Sequence, residues 1–352
     1  MKKEHILVIR FSAMGDVAMM VPVIYSLAHQ YPDIRITVLS RAFARPFFED
    51  LAPNVGFMSA DLKNEYRGIK GLNALYRRLA AKQFTAVADL HSVLRSEYLR
   101  MRFNLGHYRV AHIDKHRKGR RRLTSSTNKE LVQQPSSFQN YLDVFAKLGY
   151  PVTMQFKSIF PEEGGNLNML PACMCVKKSF EQWVGIAPFA AHEGKTYPPR
   201  LMHQVIELIL AKYPHARIFL FGRGMQEEKY FTEWCQQHSA CVHTGALLES
   251  LHQELILMSH LDVMLSMDSS NMHLASLTGT PVVSVWGATH PYAGFMGWGQ
   301  TEESAVQIPL DCRPCSVYGQ KPCLRGDYAC MRNIPPEIIV DKVEKVLGVK
   351  SE

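Results

Sequence analysis

The sequence lacks a run of apolar residues long enough to cross a membrane as a helix, which takes about 20. The apolar stretch near its amino terminus, Ala18–Ala28, is shorter and holds Pro22. A secretory leader is not expected either. Lys2 and Lys3 resemble its basic start, but Arg10 and Asp16 interrupt the apolar segment that has to follow. The expected compartment is therefore the cytoplasm. There is no Walker A loop, no H-E-x-x-H, no serine nucleophile elbow and no D-x-D ahead of the central linker. These absences exclude P-loop chemistry, zincin chemistry and serine hydrolysis of the usual kind. Phe221-Gly222-Arg223-Gly224 starts a G-x-G but does not complete G-x-G-x-x-G, so the dinucleotide fingerprint is missing too. Short repeats and low-complexity segments are also absent.

What is present is globular. The chain has 352 residues, 47% of them hydrophobic and 20% charged, which suits two domains or one large α/β domain. The net charge of +8 is concentrated. Lys115, Arg117, Lys118, Arg120, Arg121 and Arg122 fall within eight positions, and the rest of the chain carries only +2. Such a run meets phosphates or an anionic membrane surface, or it is a solvated loop. No aromatic residue is interleaved with it, which argues against single-stranded nucleic acid as a partner.

Strand and helix patterns alternate. His5–Arg10 is a short β-branched run that reads as a buried parallel strand, followed by a loop of small residues and one helix over Val17–His29. Strands are expected at Ile34–Leu39, Phe84–Leu90 and Tyr108–Ile113, with helices reaching Arg102 and spanning Ser136–Leu148. Pro151–Pro171, with Gly164 and Gly165, has no period and reads as a linker. The pattern restarts with strands at Trp183–Ala187, Ala216–Phe221, Leu261–Met267 and Pro281–Trp286. Helices are expected at Pro198–Tyr213, Met225–His238, Ser269–Leu277 and Pro335–Leu347. The expected organisation is a domain over residues 1–160, a linker over 161–178 and a domain over 179–352, the last helix having the option of packing back on the first domain. Alternation of this kind predicts parallel sheets covered on both faces, with ligands at the carboxyl ends of the strands.

Four loops at such ends carry chemistry. Met267–His273 leaves a strand and enters a helix. Asp268 is placed to cap it, Ser269 and Ser270 add hydroxyls, and the helix dipole makes a site for a phosphate or pyrophosphate within reach of His273. In Ser12-Ala13-Met14-Gly15-Asp16, Gly15 permits a tight turn, and Asp16 is either a helix cap or a general base. Lys195, in the loop Pro188–Lys195, is placed to neutralise a diphosphate leaving group. Glu227 follows another strand and suits ribose hydroxyls as well as an ordinary first helical turn. Of the eight cysteines, Cys312, Cys315, Cys323 and Cys330 lie close together. The first pair has knuckle spacing, but the second is too widely spaced for a zinc ribbon, so no metal is assigned and the four remain a candidate structural site.

Two of these stretches together are specific. Ile6–Val17 resembles a strand followed by S-x-x-G-D-[VI], and Asp268–Ala275 resembles D-[ST]-G-x-x-H-L-A. Asp89–Ser96 resembles D-x-Q-x-x-x-R-S. On these motifs the chain is similar to glycosyltransferase family 9, the ADP-heptose:lipopolysaccharide heptosyltransferases, from Ile6 to about Leu347. The resemblance implies a GT-B fold, two Rossmann-like domains with parallel sheets facing across a cleft. It implies inverting transfer without a metal or cofactor, Asp16 taking the acceptor proton. Lys195, Glu227, Asp268, Ser269, Ser270 and His273 would hold an ADP-sugar. Ser12, Gly15, His91, Arg95, Arg120 and Arg121 would meet a lipid A–core acceptor, with the enzyme peripheral at the cytoplasmic face of the inner membrane. Ser270 stands where the motif has glycine, and His91 where it has glutamine. Transfer of another nucleotide sugar, or sugar-nucleotide epimerisation or hydrolysis on the same scaffold, are the alternatives.

Overall fold

The computed structural model describes residues 4–349; Lys2 and Lys3 lie outside them. The chain forms two compact units. The first is built on five parallel strands, β1 (His5–Ile9), β2 (Arg35–Ser40), β3 (Val55–Ser59), β4 (Ala86–Asp89) and β5 (Arg109–His112). Their order is β3-β2-β1-β4-β5. Strand β1 runs up the middle, pairing Val8 with Val38 on one side and with Ala88 on the other. Its residues Ile6–Ile9 are fully buried, as a continuous apolar run in a doubly covered sheet has to be.

The second unit holds six strands, β6 (Gln182–Ala187), β7 (Ala216–Leu220), β8 (Cys241–His243), β9 (Val263–Met267), β10 (Val282–Val285) and β11 (Ala305–Val306). Their order is β11-β10-β9-β6-β7-β8. Both sheets thus show the doubly wound arrangement in which the first strand of the unit lies beside the fourth. The chain leaves these two strands in opposite directions, which opens a crevice outside their carboxyl ends.

Two local features differ from the sequence expectation. The helix expected over Val17–His29 is two helices, Met14–Ala18 and Val21–Gln30. Pro22 has no N–H to donate to the preceding turn, so the helix stops and restarts with proline in the new first turn. The basic run is helical over Arg117–Leu123, with Leu123 buried against the protein.

The unit boundaries also differ in one segment. Residues 116–134 belong to the second unit rather than to the domain 1–160, and the first unit resumes at Pro135–Ile159. The reason is local. The buried Arg120 donates from Nε to the Ala293 carbonyl at 3.1 Å and lies 4.3 Å over the Phe295 ring. Gln134 N–H donates to the Tyr292 carbonyl, and Lys129 Nζ to the Asp311 carbonyl. Residues 161–178 are irregular apart from short turns at Leu167–Met169 and Ala172–Met174, and they are tied down by the Gly165 N–H on Ser259 Oγ. The closing helix, Pro336–Val349, packs on the helix Pro199–Lys212 and on β9, β10 and β11 of its own unit.

Candidate functional site

In the first unit the crevice lies beyond β1 and β4. Arg10, the residue after β1, is 6% exposed and turns its guanidinium into the loop that follows. One arm donates to the Leu90 carbonyl after β4, and the other reaches Asp16 Oδ2 at 2.8 Å. The Ala13 N–H donates to the same oxygen at 3.2 Å, so Asp16 satisfies the backbone N–H at the start of the helix Met14–Ala18, the acidic half of a capping box whose N-cap alanine has no side chain to return the bond. Tyr141 donates its hydroxyl to the Asp16 carbonyl at 3.0 Å. The carboxylate is therefore placed by an ion pair and its own helix start, Tyr141 fixing the backbone that carries it, and the side chain remains 28% exposed. Gly15 is buried beneath it.

His91 stands across this loop from β4. Its Nδ1 accepts from the Phe11 N–H and its Nε2 contacts Ser12 Oγ, both at 3.4 Å. Burial, helped by the charges of Arg10 and Lys115, pushes the ring's pKa down to about 3. The neutral ring that accepts at Nδ1 carries its proton on Nε2, directed to Ser12. Below it the fully buried Asp89 accepts from the His91 and Ser92 N–H groups and pairs with Arg100 at 3.3 Å. Phe11, Ser12, His91 and Arg95 line a pocket of about 700 Å³, to which Arg41 and Lys63 also contribute.

The second unit repeats the arrangement at β6 and β9. The loop after β6 ends in a short turn, Glu193–Lys195. Lys195 Nζ lies 3.3 Å from Asp268 Oδ2, both side chains being largely buried. Thr289 donates its hydroxyl to the same oxygen at 2.7 Å. Gly319, at a positive φ of 81°, lies along the lysine stem. A Cβ there would stand 2.5 Å from Lys195 Cγ.

Asp268 is not the helix cap that its sequence position suggests. Ser269 takes that place, ahead of the helix Ser270–Leu277, and makes no side-chain capping bond. The Asp268 carboxylate is drawn away to Lys195 and Thr289, while Ser269 Oγ meets Ser266 Oγ at 3.3 Å. The helix thus presents its first-turn N–H groups without a side-chain cap, beside a lysine, which is the arrangement that receives an anion. His273 is buried one turn further in. Glu227, in the first turn of the helix Met225–Gln237 after β7, is raised above the usual carboxylate pKa by burial. A second pocket, of about 480 Å³, lies between these loops, with His192, Thr196, Gln226 and Tyr230 in its wall.

The structure thus brings Lys195, Asp268, Ser269 and Ser270 together in the second unit, with Glu227 one strand over. It brings Asp16, Ser12, Gly15, His91 and Arg95 together in the first. Arg120 is committed to Ala293 and Phe295, and Arg121 is exposed on the same helix. Arg10, Thr289 and Gly319 are the partners that the sequence did not single out. Only Arg10 had a signal, as a cation closing a buried strand. Cys312, Cys315, Cys323 and Cys330 are free thiols around one cavity of about 10 Å³, and burial raises Cys330 to about 11.

Residues 72–323 match glycosyltransferase family 9 (heptosyltransferase). Lipooligosaccharide heptosyltransferase 2 of Campylobacter jejuni is 24% identical over 137 residues. That match covers 37% of this chain and 40% of the relative, so the chain spans well under two thirds of that protein's length. The lipopolysaccharide core heptosyltransferase OpsX of Haemophilus influenzae is 23% identical over 305 residues, 82% of this chain and 80% of the relative. Among solved structures, the ADP-heptose lps heptosyltransferase II of E. coli aligns with a TM-score of 0.69 at 16% identity, over 99% of this chain and all of the other. That likeness bears on the fold, which is GT-B, each unit a Rossmann-like sheet.

Proposed function

The chain belongs to glycosyltransferase family 9, the heptosyltransferases, and from that premise we propose that it moves a heptose from ADP-heptose to the inner core of lipopolysaccharide by inverting displacement. The observation that carries this reading is the cradle of the second unit: Lys195 held by Asp268, which Thr289 fixes in turn, beside the uncapped start of Ser270–Leu277. A fixed cation and aligned backbone N–H groups are what a departing diphosphate requires, and they supply it without a metal ion. Asp268 acts on the lysine as a positioning residue. Ser269 and Ser270 add hydroxyl donors at the same mouth, and Glu227 suits the ribose hydroxyls.

In the first unit Asp16 accepts the proton of the attacking acceptor hydroxyl. As that oxygen bonds to the anomeric carbon, the bond from this carbon to the diphosphate oxygen breaks. ADP leaves with the electron pair, and the configuration at the carbon inverts. Arg10 keeps the Asp16 carboxylate ionised and aimed, and the neutral His91, through Ser12, offers hydrogen bonds to acceptor hydroxyls. Arg95 and the exposed Arg121 suit acidic groups of the acceptor.

No helix among the described residues is long and apolar enough to cross a membrane. Peripheral contact at the cytoplasmic face of the inner membrane, through exposed cations such as Arg121, is how we propose that the enzyme reaches a lipid-linked acceptor.

The test is ADP release and heptose transfer with purified ADP-heptose and heptose-deficient lipopolysaccharide. Asp16→Asn is expected to lower kcat by on the order of 10²–10⁴, with ADP affinity by calorimetry unchanged. Transfer at the wild-type rate in that variant removes Asp16 as the base. No turnover of ADP-heptose by the wild type, alongside turnover of a different nucleotide sugar, moves the donor assignment within the family.

A further inference from the structure

Away from both crevices, three side chains that the transfer reaction does not use meet at one point. His203 and Glu207 stand four residues apart on the helix Pro199–Lys212, so they project from one face. His238 follows directly on the helix Met225–Gln237. One ligand atom from each of the three lies within 4.8 Å of the other two, and the two imidazole Nε2 atoms are 3.0 Å apart. The His203 ring lies parallel to the buried Trp234 indole, 2° between planes with centroids 5.9 Å apart, so packing fixes its plane. The two imidazoles are inclined by 54°.

We propose that His203, Glu207 and His238 bind one divalent transition-metal ion of the zinc, cobalt or nickel class, and that this ion staples the two helices together. Two nitrogens at about 2.0–2.1 Å from one ion stand about 2.8–3.4 Å apart for bond angles from a right angle to tetrahedral, and the observed 3.0 Å falls in that span. An N–H···N bond between two neutral rings accounts for the two nitrogens but not for the carboxylate that converges with them. An ion uses all three. Two imidazoles and one carboxylate select borderline metals over magnesium or calcium, which take oxygen ligands. Both histidines are half-buried and Glu207 is exposed, so water completes the coordination and the ion exchanges with solvent. Among the described residues these three form the one group of His, Cys, Asp and Glu side chains at ligand spacing. The four cysteines share a cavity, but no three of their sulfurs close to that spacing. The stapled helices are those that follow the Lys195 loop and carry Glu227, so the ion stiffens the scaffold behind the donor cradle without touching substrate.

The experiment uses the full-length protein freed of metal with a chelator and titrated with Co²⁺ and Zn²⁺. Calorimetry is expected to show one equivalent bound. Zn²⁺ is expected to raise Tm by about 2–5 °C, with EDTA reversing the rise. His238→Gln and Glu207→Gln each weaken binding by on the order of tenfold or more, while leaving Tm in EDTA unchanged. The Co²⁺ complex shows visible d–d bands without strong thiolate charge transfer. Absence of stoichiometric binding overturns the proposal, as does binding that His238→Gln leaves intact. Strong thiolate bands, abolished by Cys312→Ser with Cys315→Ser, also overturn it and place the metal at the cysteines.

Discussion

At the scale of the residue, Asp16 is held by two demands that pull in one direction and cost in another. The Arg10 guanidinium at 2.8 Å and the Ala13 N–H both favour the charged carboxylate. They keep it ready to accept a proton while making it a less avid base. Part of the driving force for transfer is then expected from the departing diphosphate and the cradle that receives it. His91 is coupled to the same loop, and its titration is measurable. Its pKa is about 3 in the folded protein and about 6.5 in an unfolded chain. The unfolded state therefore binds the extra proton first, and folding stability falls as pH drops below about 6.5. At about pH 5 the loss due to this residue is about 1–2 kcal/mol relative to neutral pH. His91→Gln, which restores the residue usual in the motif, removes that dependence. Urea unfolding of both proteins at the two pH values checks it, and an equal loss in the two assigns the acid sensitivity to other groups. Asp16 and His91 were legible because they sit in motifs. The Arg10–Asp16 pair was not, since it depends on how the loop between them folds back, which no spacing encodes.

Elements divide by where they lie in the sheet. The central strands β1, β4, β6 and β9 are mostly apolar and almost wholly buried, and they read directly from the sequence. The edge strand β3, with Gly56 in it and only Val55 and Met58 of its five residues buried, did not, nor did the three-residue β8. The helix Gly68–Ala80 buries Leu72, Leu75 and Leu79, but glycines at both ends of its first turn blur the pattern. The helix Arg117–Leu123 shows what charge counting misses. Arg120 and Arg121 are neighbours in one basic run, yet one is buried under Phe295 contacts and the other is exposed. Arg120→Ala is expected to cost about 1–3 kcal/mol by leaving the Ala293 carbonyl without its donor and the ring uncovered. Arg121→Gln leaves Tm unchanged and weakens sedimentation with anionic vesicles. The reverse pattern makes Arg120 the ligand-facing residue. Gly319 supports the other element that matters. With φ at 81° and Lys195 Cγ 2.5 Å from a hypothetical Cβ, Gly319→Ala strains the backbone and displaces the lysine. The expected result is a raised KM for the donor, on the order of tenfold, at unchanged KM for the acceptor. An unaltered donor KM shows that Lys195 tolerates the shift.

For the whole molecule, two sheets of the same strand order make the position of each site a consequence of topology. In each unit the first and fourth strands are neighbours, β1 with β4 and β6 with β9, and the residues with chemistry follow those strands. That is why the four loops singled out in the sequence all follow strands of the two sheets, whereas the assignment of 116–134 to a unit did not follow from topology. Chain order suggests continuity with the first unit, and only the bonds to Ala293, Tyr292 and Asp311 reveal the second. This division predicts how ADP is felt across the chain. A ligand at about 100 times its Kd adds about 2.7 kcal/mol to the stability of whatever unfolds with its site. Hydrogen exchange with ADP is therefore expected to slow at 188–197 and 268–274, and also over 116–134, because those amides open with the second unit. Amides over 84–115 are expected to change far less. Slowing confined to 10–16 and 89–95 instead places the nucleotide on the first unit and exchanges the donor and acceptor roles proposed for the two sheets.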